Sequence, residues 1–547
     1  MDSAEDLSSG STRALIVAVL DISITPYITN VTQLRHKHKV IVIYYLNIAI
    51  CCTNTFMLLY FMAQTLYWYD LETFGLNPAL DRVAQFAGVR TNDNFEIIGE
   101  PLVIYNKITP DYVPDPKACL VTGITPQKTL EDGIPEREFI SKIDEEFSVP
   151  GTCVVGYNNL NFDDEFIRNM YYRNFFDPYK REWADGNTRW DIIDLVRTAH
   201  DLRPEGINWL RTEKNKPVFK LDQLTKVNNI EHSNAHDALA DVYATIALAK
   251  IIFEKQPKLL RYNFTHRTKD SLRQLINLQT RAPLVYTSSV FTSETGCTSI
   301  VAPIAGDPAN NNAIYFYDLK YDPEELLTLG ESEIRRRFFT PKKELPPKEA
   351  LHIVKVQINK CPALSPVSTV DKESADRLNL DLNKCMEYSK KLNSDPLLSQ
   401  RFIKIFSKDS YKKSEADPDL QIYSGGFFKD KDKVSFEIIK TTPGDKLFNL
   451  NLIFEDTRIP ELLWRYKCRN YPEYMDTDTK QRWKNFCAGR LLLPPGKLIN
   501  DYHFYRRKIK ENLMDNEIDS KKKVILKALD EYGELIRKEV LEYTETD

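Results

Sequence analysis

The pattern of apolar and polar positions is clearest in one run near the start of the chain, Thr65-Leu66-Tyr67-Trp68-Tyr69-Asp70-Leu71-Glu72-Thr73-Phe74-Gly75. Its aromatic and apolar residues, ended by a glycine, predict a β-strand. Side chains two apart on a strand share a face, so Asp70 and Glu72 are expected to lie side by side. Paired carboxylates repel each other unless a cation lies between them, and oxygen ligands suit Mg²⁺ or Mn²⁺. Alone, such a pair is more often a solvated strand end.

Further elements follow this strand. Strand-like runs at residues 82–89 and 95–105 would form an antiparallel set with it. Thr125 and Pro126 predict the cap and first position of a helix. Residues 152–157 read as a buried strand, and residues 163–176, 189–202 and 237–253 as helices. Strands followed by covering helices predict a mixed α/β layer fold for residues 65 to about 256.

The rest of the chain divides into two more regions. After residue 257, a helix near 269–276 precedes strand-like runs at 284–287, 298–302, 313–317 and 351–356, which predicts a small β domain. A polar, proline-ended stretch at 412–418 reads as a linker, and helices are expected beyond it. A chain of 547 residues is also too long to fold around a single hydrophobic core. The predicted domains are therefore 62–256, 257–412 and 413–547.

Residues 1–61 do not resemble the remainder. Residues 40–62 form a largely apolar run of nearly membrane-spanning length, interrupted by Asn47 and Asn54. It could be a signal anchor. The interpretation we prefer is that Met62 is the true start, so that residues 1–61 form an N-terminal extension outside the functional protein.

Composition narrows the class of protein. An apolar content of 42% and a charged content of 28% describe a soluble globular protein. The net charge of -4 means that a nucleic acid would have to be held by a local basic groove. The nine cysteines include no C-x-x-C pair, which favours reduced thiols in the cytoplasm over a zinc site or a disulfide framework.

Two further acidic segments complement the first. Asp163, Asp164 and Glu165 lead a predicted helix directly after the buried strand. His236 and Asp237 open another helix, and Asp241 follows one turn later. Taken singly, the segment at Asp163 is more often explained by helix capping. In the other, Asp237 can cap the helix, and a lone histidine is more often a surface residue or a satisfied core residue.

Together, the order Asp-x-Glu, Asn-x-x-Phe-Asp and His-x-x-x-x-Asp resembles the DEDDh family of 3′→5′ exonucleases, whose fold is ribonuclease-H-like. Across residues 63–547 the chain resembles the bacterial exonuclease I family within it, notably at residues 123–127, 156–159, 202–209, 231–237 and 358–362. The resemblance implies an α/β exonuclease domain, an SH3-like β domain, an all-helical C-terminal domain and a monomer.

The resemblance also implies the roles of the acidic residues. Asp70, Glu72, Asp163 and Asp241 match the family's metal ligands, for two Mg²⁺ ions with Mn²⁺ as a substitute, and His236 matches its general base. Glu72 is expected to contact the substrate as well. We assign the neighbouring Asp164 and Asp237 to helix capping.

Arginines and aromatic residues interleave between residues 168 and 197, as expected of a surface that pairs with phosphates and stacks on bases. Phe176 and Trp190 read as core residues. The substrate-binding candidates are Phe74, Arg168, Tyr179, Trp183, Arg197 and Lys220. Phe74 would wedge or stack at the 3′ end. Lys220 stands where the family often has arginine, and lysine lacks bidentate geometry.

The implied activity is processive 3′→5′ degradation of single-stranded DNA to 5′-mononucleotides, in DNA repair and recombination. The implied partner is the acidic C-terminal tail of single-strand DNA-binding protein, for which Arg335, Arg336 and Arg337 are candidate contacts. No membrane is expected. The alternatives are an RNA-trimming DEDDh exoribonuclease, a non-catalytic single-strand nucleic-acid-binding scaffold, and a nuclease anchored through residues 40–62. The complete catalytic set speaks against the scaffold.

Overall fold

A computed structural model describes residues 64–232, 237–341, 343–407, 417–492, 501–515 and 518–542. The predictions for residues 1–61, including the apolar run, lie outside these ranges. Among the described helices, none combines the length and the apolar character needed to cross a membrane.

The first region is built on a six-stranded sheet with the strand order β4-β3-β2-β1-β5-β6. β1 pairs antiparallel with β2 and parallel with β5, and β2 pairs antiparallel with β3, which confirms the predicted antiparallel set. The strands are β1 Thr65–Thr73, β2 Val83–Thr91, β3 Leu102–Asn106, β4 Gly133–Ile134, β5 Thr152–Gly156 and β6 Thr188–Asp191. A two-stranded hairpin, β7 Leu210–Arg211 and β8 Pro217–Val218, lies outside this sheet.

Seven helices accompany this sheet. They are α1 Pro116–Thr122, α2 Pro126–Asp132, α3 Glu136–Phe147, α4 Asp163–Arg173, α5 Ile193–Leu202, α6 Leu221–Val227 and α7 Ala238–Lys255. Thr125 caps α2 by accepting from the Lys128 amide, and Pro126 is its first residue, as predicted.

Two predicted elements begin well after their predicted first residues. The strand predicted over 95–105 is reduced to β3, because Phe95 and Gly99 both adopt positive φ angles that interrupt an extended chain. The helix predicted from residue 189 begins only at Ile193, because the preceding residues pair with β5 as strand β6.

The two faces of β1 are buried against different helices. Leu66 and Trp68 lie in a core cluster with Val242 of α7, whereas Tyr67 and Tyr69 pack with residues of α3 and α4. Since side chains alternate along a strand, Asp70 and Glu72 continue the face that carries Leu66 and Trp68. The two acids therefore point to the side of the sheet that α7 covers.

The second region is a five-stranded antiparallel sheet with the order β12-β11-β10-β9-β13. Its strands are β9 Leu284–Thr287, β10 Thr298–Asp307, β11 Asn310–Asp318, β12 Ile353–Gln357 and β13 Ala363–Pro366. Its helices are α8 Pro257–Thr265, α9 Lys269–Leu275, α10 Glu324–Thr328, α11 Glu331–Phe339, α12 Lys372–Leu378, α13 Leu382–Leu392 and α14 Leu398–Phe406. The predicted β domain with appended helices is confirmed.

The last region is helical, as predicted. It contains α15 Asp430–Thr441, α16 Gly444–Leu447, α17 Ile459–Asn470, α18 Thr477–Leu491, α19 Tyr502–Leu513 and α20 Ser520–Ile536. Trp483, Tyr505 and Tyr532 of these helices share one core cluster with Phe74 and Tyr112 of the first region. The helical region therefore packs directly on the end of β1.

A buried ion cluster joins the same two regions. Arg469 of α17 donates to Asp111 at 2.9 Å and to Asp419 at 2.7 Å, and all three residues are almost fully buried. The nearby guanidiniums lower the pKa of Asp111 below its ordinary value although burial opposes them. Breaking buried pairs of this kind leaves an uncompensated charge, so the cluster ties the helical region to the sheet.

Candidate active site

Three carboxylates converge where β1 meets the start of α7. One oxygen from each of Asp70, Glu72 and Asp241 lies within 4.8 Å of the others. Asp237 accepts from the Leu239 amide as the cap of α7, as predicted, which sets Asp241 in the first turn of the helix. The structure thus brings three of the four predicted metal ligands together.

The carboxylates have strongly perturbed acidities. Burial raises the pKa of Asp70 well above its ordinary value, and the charges of Asp163 and Asp241 add to this. Burial, followed by the charges of Asp70 and Asp241, raises the pKa of Glu72 to about 9. Folding therefore holds like charges together in a poorly solvated place, as expected of a site built for a cation.

Asp163, the fourth predicted ligand, is the first residue of α4. It is 5% exposed. Burial raises its pKa well above the ordinary range, and Glu72 is among the charges that contribute. It lies outside the tightest group of three, but its charge contributes to the raised pKa of Asp70. An all-carboxylate set of donors fits Mg²⁺ or Mn²⁺.

Asp164 does not cap α4, so that prediction was wrong. Its carboxylate is fully buried and accepts from Arg181 at 2.7 Å, from the Tyr69 hydroxyl at 2.9 Å, and from Arg189. Burial opposes ionisation, but the two arginines outweigh it and lower the pKa of Asp164 below its ordinary value. Two adjacent acids thus have opposite environments, one among carboxylates and one among arginines.

Phe74 is not placed to stack on a base. Its ring is 1% exposed and belongs to the core shared with the C-terminal helices. A ring covered on all sides by protein offers no face to a substrate, so the structure speaks against the stacking role predicted for it.

The predicted line of arginines is mostly engaged within the protein. Arg173 pairs with Glu136 at 2.8 Å, and Arg189 pairs with Asp164. Arg168 binds Glu182 at 2.7 Å and Glu165 at 2.9 Å. These ion pairs stabilise the helix that carries Asp163. The guanidiniums at these three positions are paired and do not form a continuous row of free cations.

Aromatic side chains are exposed beside the first turn of α4. Trp183 is 69% exposed. The Tyr179 ring lies 5.4 Å from the Arg168 guanidinium and 5.7 Å from the ring of Phe427, which comes from the C-terminal region. The Tyr423 hydroxyl donates to Glu165. We call Tyr179, Trp183, Tyr423 and Phe427 the aromatic patch.

Two other substrate-binding candidates lie around Phe219. Arg197 pairs with Asp194 and stands 5.9 Å from the Phe219 ring centroid. Lys220, the next residue along the chain, is exposed at the start of α6. The Tyr157 hydroxyl at the end of β5 donates to the Phe219 carbonyl at 2.6 Å. Both cations are therefore close to the strand end that leads towards Asp163.

His236, the predicted general base, lies outside the described residues. The sequence did not single out His232, which the structure places against Asp241 with 2.5 Å between Nε2 and the nearer carboxylate oxygen. Its position inside the motif of residues 231–237 was the available signal. The seven cysteines in the described ranges are free.

Family models match three consecutive parts of the chain. An exonuclease model matches residues 67–249, the exonuclease I SH3-like domain matches 267–408, and the exonuclease I C-terminal domain matches 416–536. Exodeoxyribonuclease I of Escherichia coli is 43% identical over 473 residues, which are 86% of this chain and 98% of that protein. Its Haemophilus influenzae counterpart is 42% identical, with 85% and 97% covered.

The chain belongs to the exonuclease I family. It accordingly has a ribonuclease-H-like exonuclease domain, an SH3-like domain and a helical C-terminal domain. The acid cluster lies in the part that matches the exonuclease model, and the aromatic patch spans that part and the C-terminal domain.

Solved structures of Escherichia coli exonuclease I resemble the whole described fold. The complex with a dA16 oligonucleotide has a TM-score of 0.82 at 42% identity, covering 86% of this chain and 100% of that one. A zinc-bound complex with single-stranded DNA has a TM-score of 0.81 at 42% identity, and an SSB/exonuclease I structure with an inhibitor has 0.79 at 41%. Each covers 87% of this chain and 100% of the other.

Proposed function

We propose that this protein is a Mg²⁺-dependent exonuclease that degrades single-stranded DNA processively from its 3′ end and releases 5′-mononucleotides in DNA repair. The observation that carries the proposal is the cluster of Asp70, Glu72 and Asp241, whose oxygens lie within 4.8 Å of one another. Family membership and the DNA complexes of the Escherichia coli enzyme support it further.

The acids would act by holding cations. We propose two Mg²⁺ ions, held by Asp70, Glu72, Asp163 and Asp241, with Mn²⁺ as a substitute. Bound there, divalent cations supply stabilisation for the negative charge that develops on the phosphate and the leaving 3′-oxygen. His236 would accept the proton of the attacking water, a role that suits a group with a pKa near neutrality.

The aromatic patch and the cations around Phe219 fit an unpaired strand. Bases stack on aromatic faces, at about 1–3 kcal/mol per base. Tyr179 and Trp183 would offer such faces, and Arg197 and Lys220 would contact phosphates. A duplex already stacks its own bases, so the aromatic patch favours a single strand. Arg168 would act mainly by holding Tyr179, over whose ring its guanidinium lies.

The test is digestion of one oligonucleotide labelled either at its 5′ or at its 3′ end. In Mg²⁺ we expect the 3′ label to leave at once as a mononucleotide and the 5′ label to pass through a descending ladder. Chelation should stop both, and RNA of the same sequence should be cut much more slowly. Equal cutting of RNA would favour the exoribonuclease alternative.

Matched variants distinguish the loss of an active-site acid from a general loss of folding. Glu72→Gln should remove cleavage, whereas Asp93→Asn, which changes an exposed acid between β2 and β3, should not. A fully active Glu72→Gln variant would contradict the proposal.

We also propose that the acidic tail of single-strand DNA-binding protein binds between the exonuclease and SH3-like domains. A cavity of about 500 Å³ there is lined by a mixture of apolar and polar side chains, with Arg203 and Lys258 as its cations. The earlier candidates Arg336 and Arg337 are already paired with glutamates of the same domain. Arg203 is likewise paired with Asp371 at 3.1 Å, so Lys258 is the cation on which this proposal mainly depends. The monomeric state stays a prediction.

The partner proposal can be tested with a labelled synthetic tail peptide and fluorescence anisotropy. Lys258→Ala should weaken binding, and the effect should shrink at high salt because exposed charges are screened. Arg336→Ala, which removes an exposed paired arginine, serves as the control. Equal effects of the two variants would argue against this cavity.

A further inference from the structure

His232 lies directly behind one of the acids of the cluster. Its Nε2 is 2.5 Å from Oδ1 of Asp241. The imidazole is almost fully buried, with 4% of its side chain exposed, while 17% of the Asp241 side chain remains accessible. Since an ionised carboxylate can only accept, Nε2–H is the donor in this contact.

The ring is held on its other side as well. Nδ1 lies 3.1 Å from the hydroxyl of Thr225, a fully buried residue of α6. That hydroxyl also lies 3.0 Å from the Asp222 carbonyl, and the Thr225 carbonyl accepts from the Ile230 amide. Both nitrogens of the imidazole thus have fixed partners, so the ring has one orientation rather than several.

A fixed donor matters here because the acids repel one another. Asp70 and Glu72 lie on β1 with carboxylate oxygens within 4.8 Å of the Asp241 carboxylate, a distance at which like charges repel. An aspartate in the first turn of a helix can relieve such repulsion by rotating its side chain away. The contact with His232 opposes that rotation.

The contact leaves the carboxylate able to bind a cation. An ionised carboxylate has about four acceptor positions on its two oxygens, of which His232 uses one. Groups that hydrogen-bond to metal ligands orient them, and their loss typically weakens metal affinity or activity about 10–100-fold. The geometry at Asp241 is of this kind.

We propose that His232 is a positioning residue, which holds the Asp241 carboxylate against Asp70 and Glu72 so that the cluster is ready for its cation. This inference rests on the proposed function and is distinct from the role of His236. His232 does not touch the substrate in this account; it acts through Asp241.

The test compares side chains at position 232 by direct titration of the DNA-free protein with Mn²⁺, followed through the electron paramagnetic resonance of the free ion. His232→Leu fills similar space without a donor, and His232→Gln retains an N–H at about the position of Nε2. We expect His232→Leu to weaken Mn²⁺ binding about 10–100-fold and His232→Gln to recover most of the affinity.

His200 provides a matched control. Its imidazole is as buried as that of His232 and pairs with Asp201, with 2.6 Å between Nδ1 and the carboxylate oxygen, and Asp201 accepts from Thr298 of the SH3-like domain. His200→Ala should lower the melting temperature and leave Mn²⁺ affinity unchanged. Wild-type affinity in a folded His232→Leu variant would overturn the inference, as would a loss in His232→Gln as large as in His232→Leu.

The metal titration also separates this inference from the proposed function. If the wild-type protein cut DNA in Mg²⁺ but His232→Leu bound Mn²⁺ normally, only the positioning role would fail. If His232→Leu lost metal affinity and the wild type did not cut DNA, the positioning role would stand and the proposed activity would fall. With saturating metal, the KM for DNA should be unchanged in either variant.

Discussion

At the scale of single residues, Glu72 shows that the arrangement needed for function lowers the stability of the metal-free protein. Its carboxylate is buried beside Asp70 and Asp241, and burial and their charges raise its pKa to about 9. Each of these effects disfavours the folded, ionised state in the absence of a cation. Functional sites commonly carry such a cost, which a substitution can relieve.

Glu72→Gln should therefore make the metal-free protein more stable while it removes activity. The neutral amide ends the repulsion with Asp70, so the melting temperature in a chelator should rise. Cleavage in Mg²⁺ should fall more than about 100-fold, beyond the usual loss for an outer partner of a ligand. Differential scanning fluorimetry and initial rates measure both, with Asp93→Asn as the reference. A variant that was less stable and still active would contradict this account.

The stabilisation by Mg²⁺ should grow with pH. The pKa of Glu72 rises from an ordinary 4.5 to about 9 on folding, so the folded state binds more protons than the unfolded one between these values. The metal-free protein consequently loses stability as pH rises through this window. A cation competes with fewer protons at the upper end and stabilises by mass action.

The measurement is the melting temperature with and without Mg²⁺ from pH 5 to 9. The difference should increase steadily in the wild type and increase less in Glu72→Gln. A difference that stayed constant across the range would mean that these acids do not titrate with the metal.

Which single residues could be predicted follows from how local their surroundings are. The shared face of Asp70 and Glu72 follows from strand alternation alone, and the Asp237 cap follows from its place before an apolar helix. The burial of Phe74 depends on helices more than 400 residues away along the chain. The arginine partners of Asp164 likewise lie in a loop and a strand that the local pattern did not connect to it.

At the scale of elements, α4 carries two functions in consecutive residues. The charge of Asp163 contributes, after burial, to the raised pKa of Asp70, and Asp164 accepts from Arg181 and Arg189. The SH3-like domain reaches the same place, since Arg189 donates to the Asn359 carbonyl at 2.8 Å. The orientation of the Asp163 carboxylate therefore depends on a buried ion network and on a loop of another domain.

The two neighbouring acids should respond oppositely to neutralisation. Asp164→Asn leaves two buried arginines short of a charge partner and should destabilise the exonuclease domain by about 3–5 kcal/mol. Asp163→Asn should keep or raise stability and abolish cleavage. The free energies of unfolding of the two variants can be compared by urea unfolding, followed by tryptophan fluorescence and evaluated over the first transition. Equal destabilisation by both variants would contradict the separate roles.

Elements with local signals were predicted well, and those defined by pairing were not. Thr125 and Pro126 mark the start of α2 because a cap is a local contact. The residues of β6 resemble the start of a helix in sequence, and pairing with β5 makes them a strand. Sheet edges of this kind depend on a neighbouring strand, which a window of sequence does not contain.

At the scale of the whole molecule, the three domains meet beside the acids. Tyr423 and Phe427 of the C-terminal domain approach Glu165 and Tyr179, and Lys360 of the SH3-like domain lies 3.7 Å from Glu165. The domain types could be predicted from periodicity and resemblance, but not this convergence, because amphipathic patterns do not specify which surfaces pair. The convergence leads us to expect that a strand must enter by a free end.

The most direct test of the account is to incubate a linear single strand and a covalently closed circle of the same sequence together with the enzyme in Mg²⁺. The account predicts that the linear strand is converted to mononucleotides while the circle remains intact, and that Glu72→Gln spares both. Cutting of the circle at a comparable rate would contradict it, since the acids would then reach internal phosphodiesters and the protein would be an endonuclease.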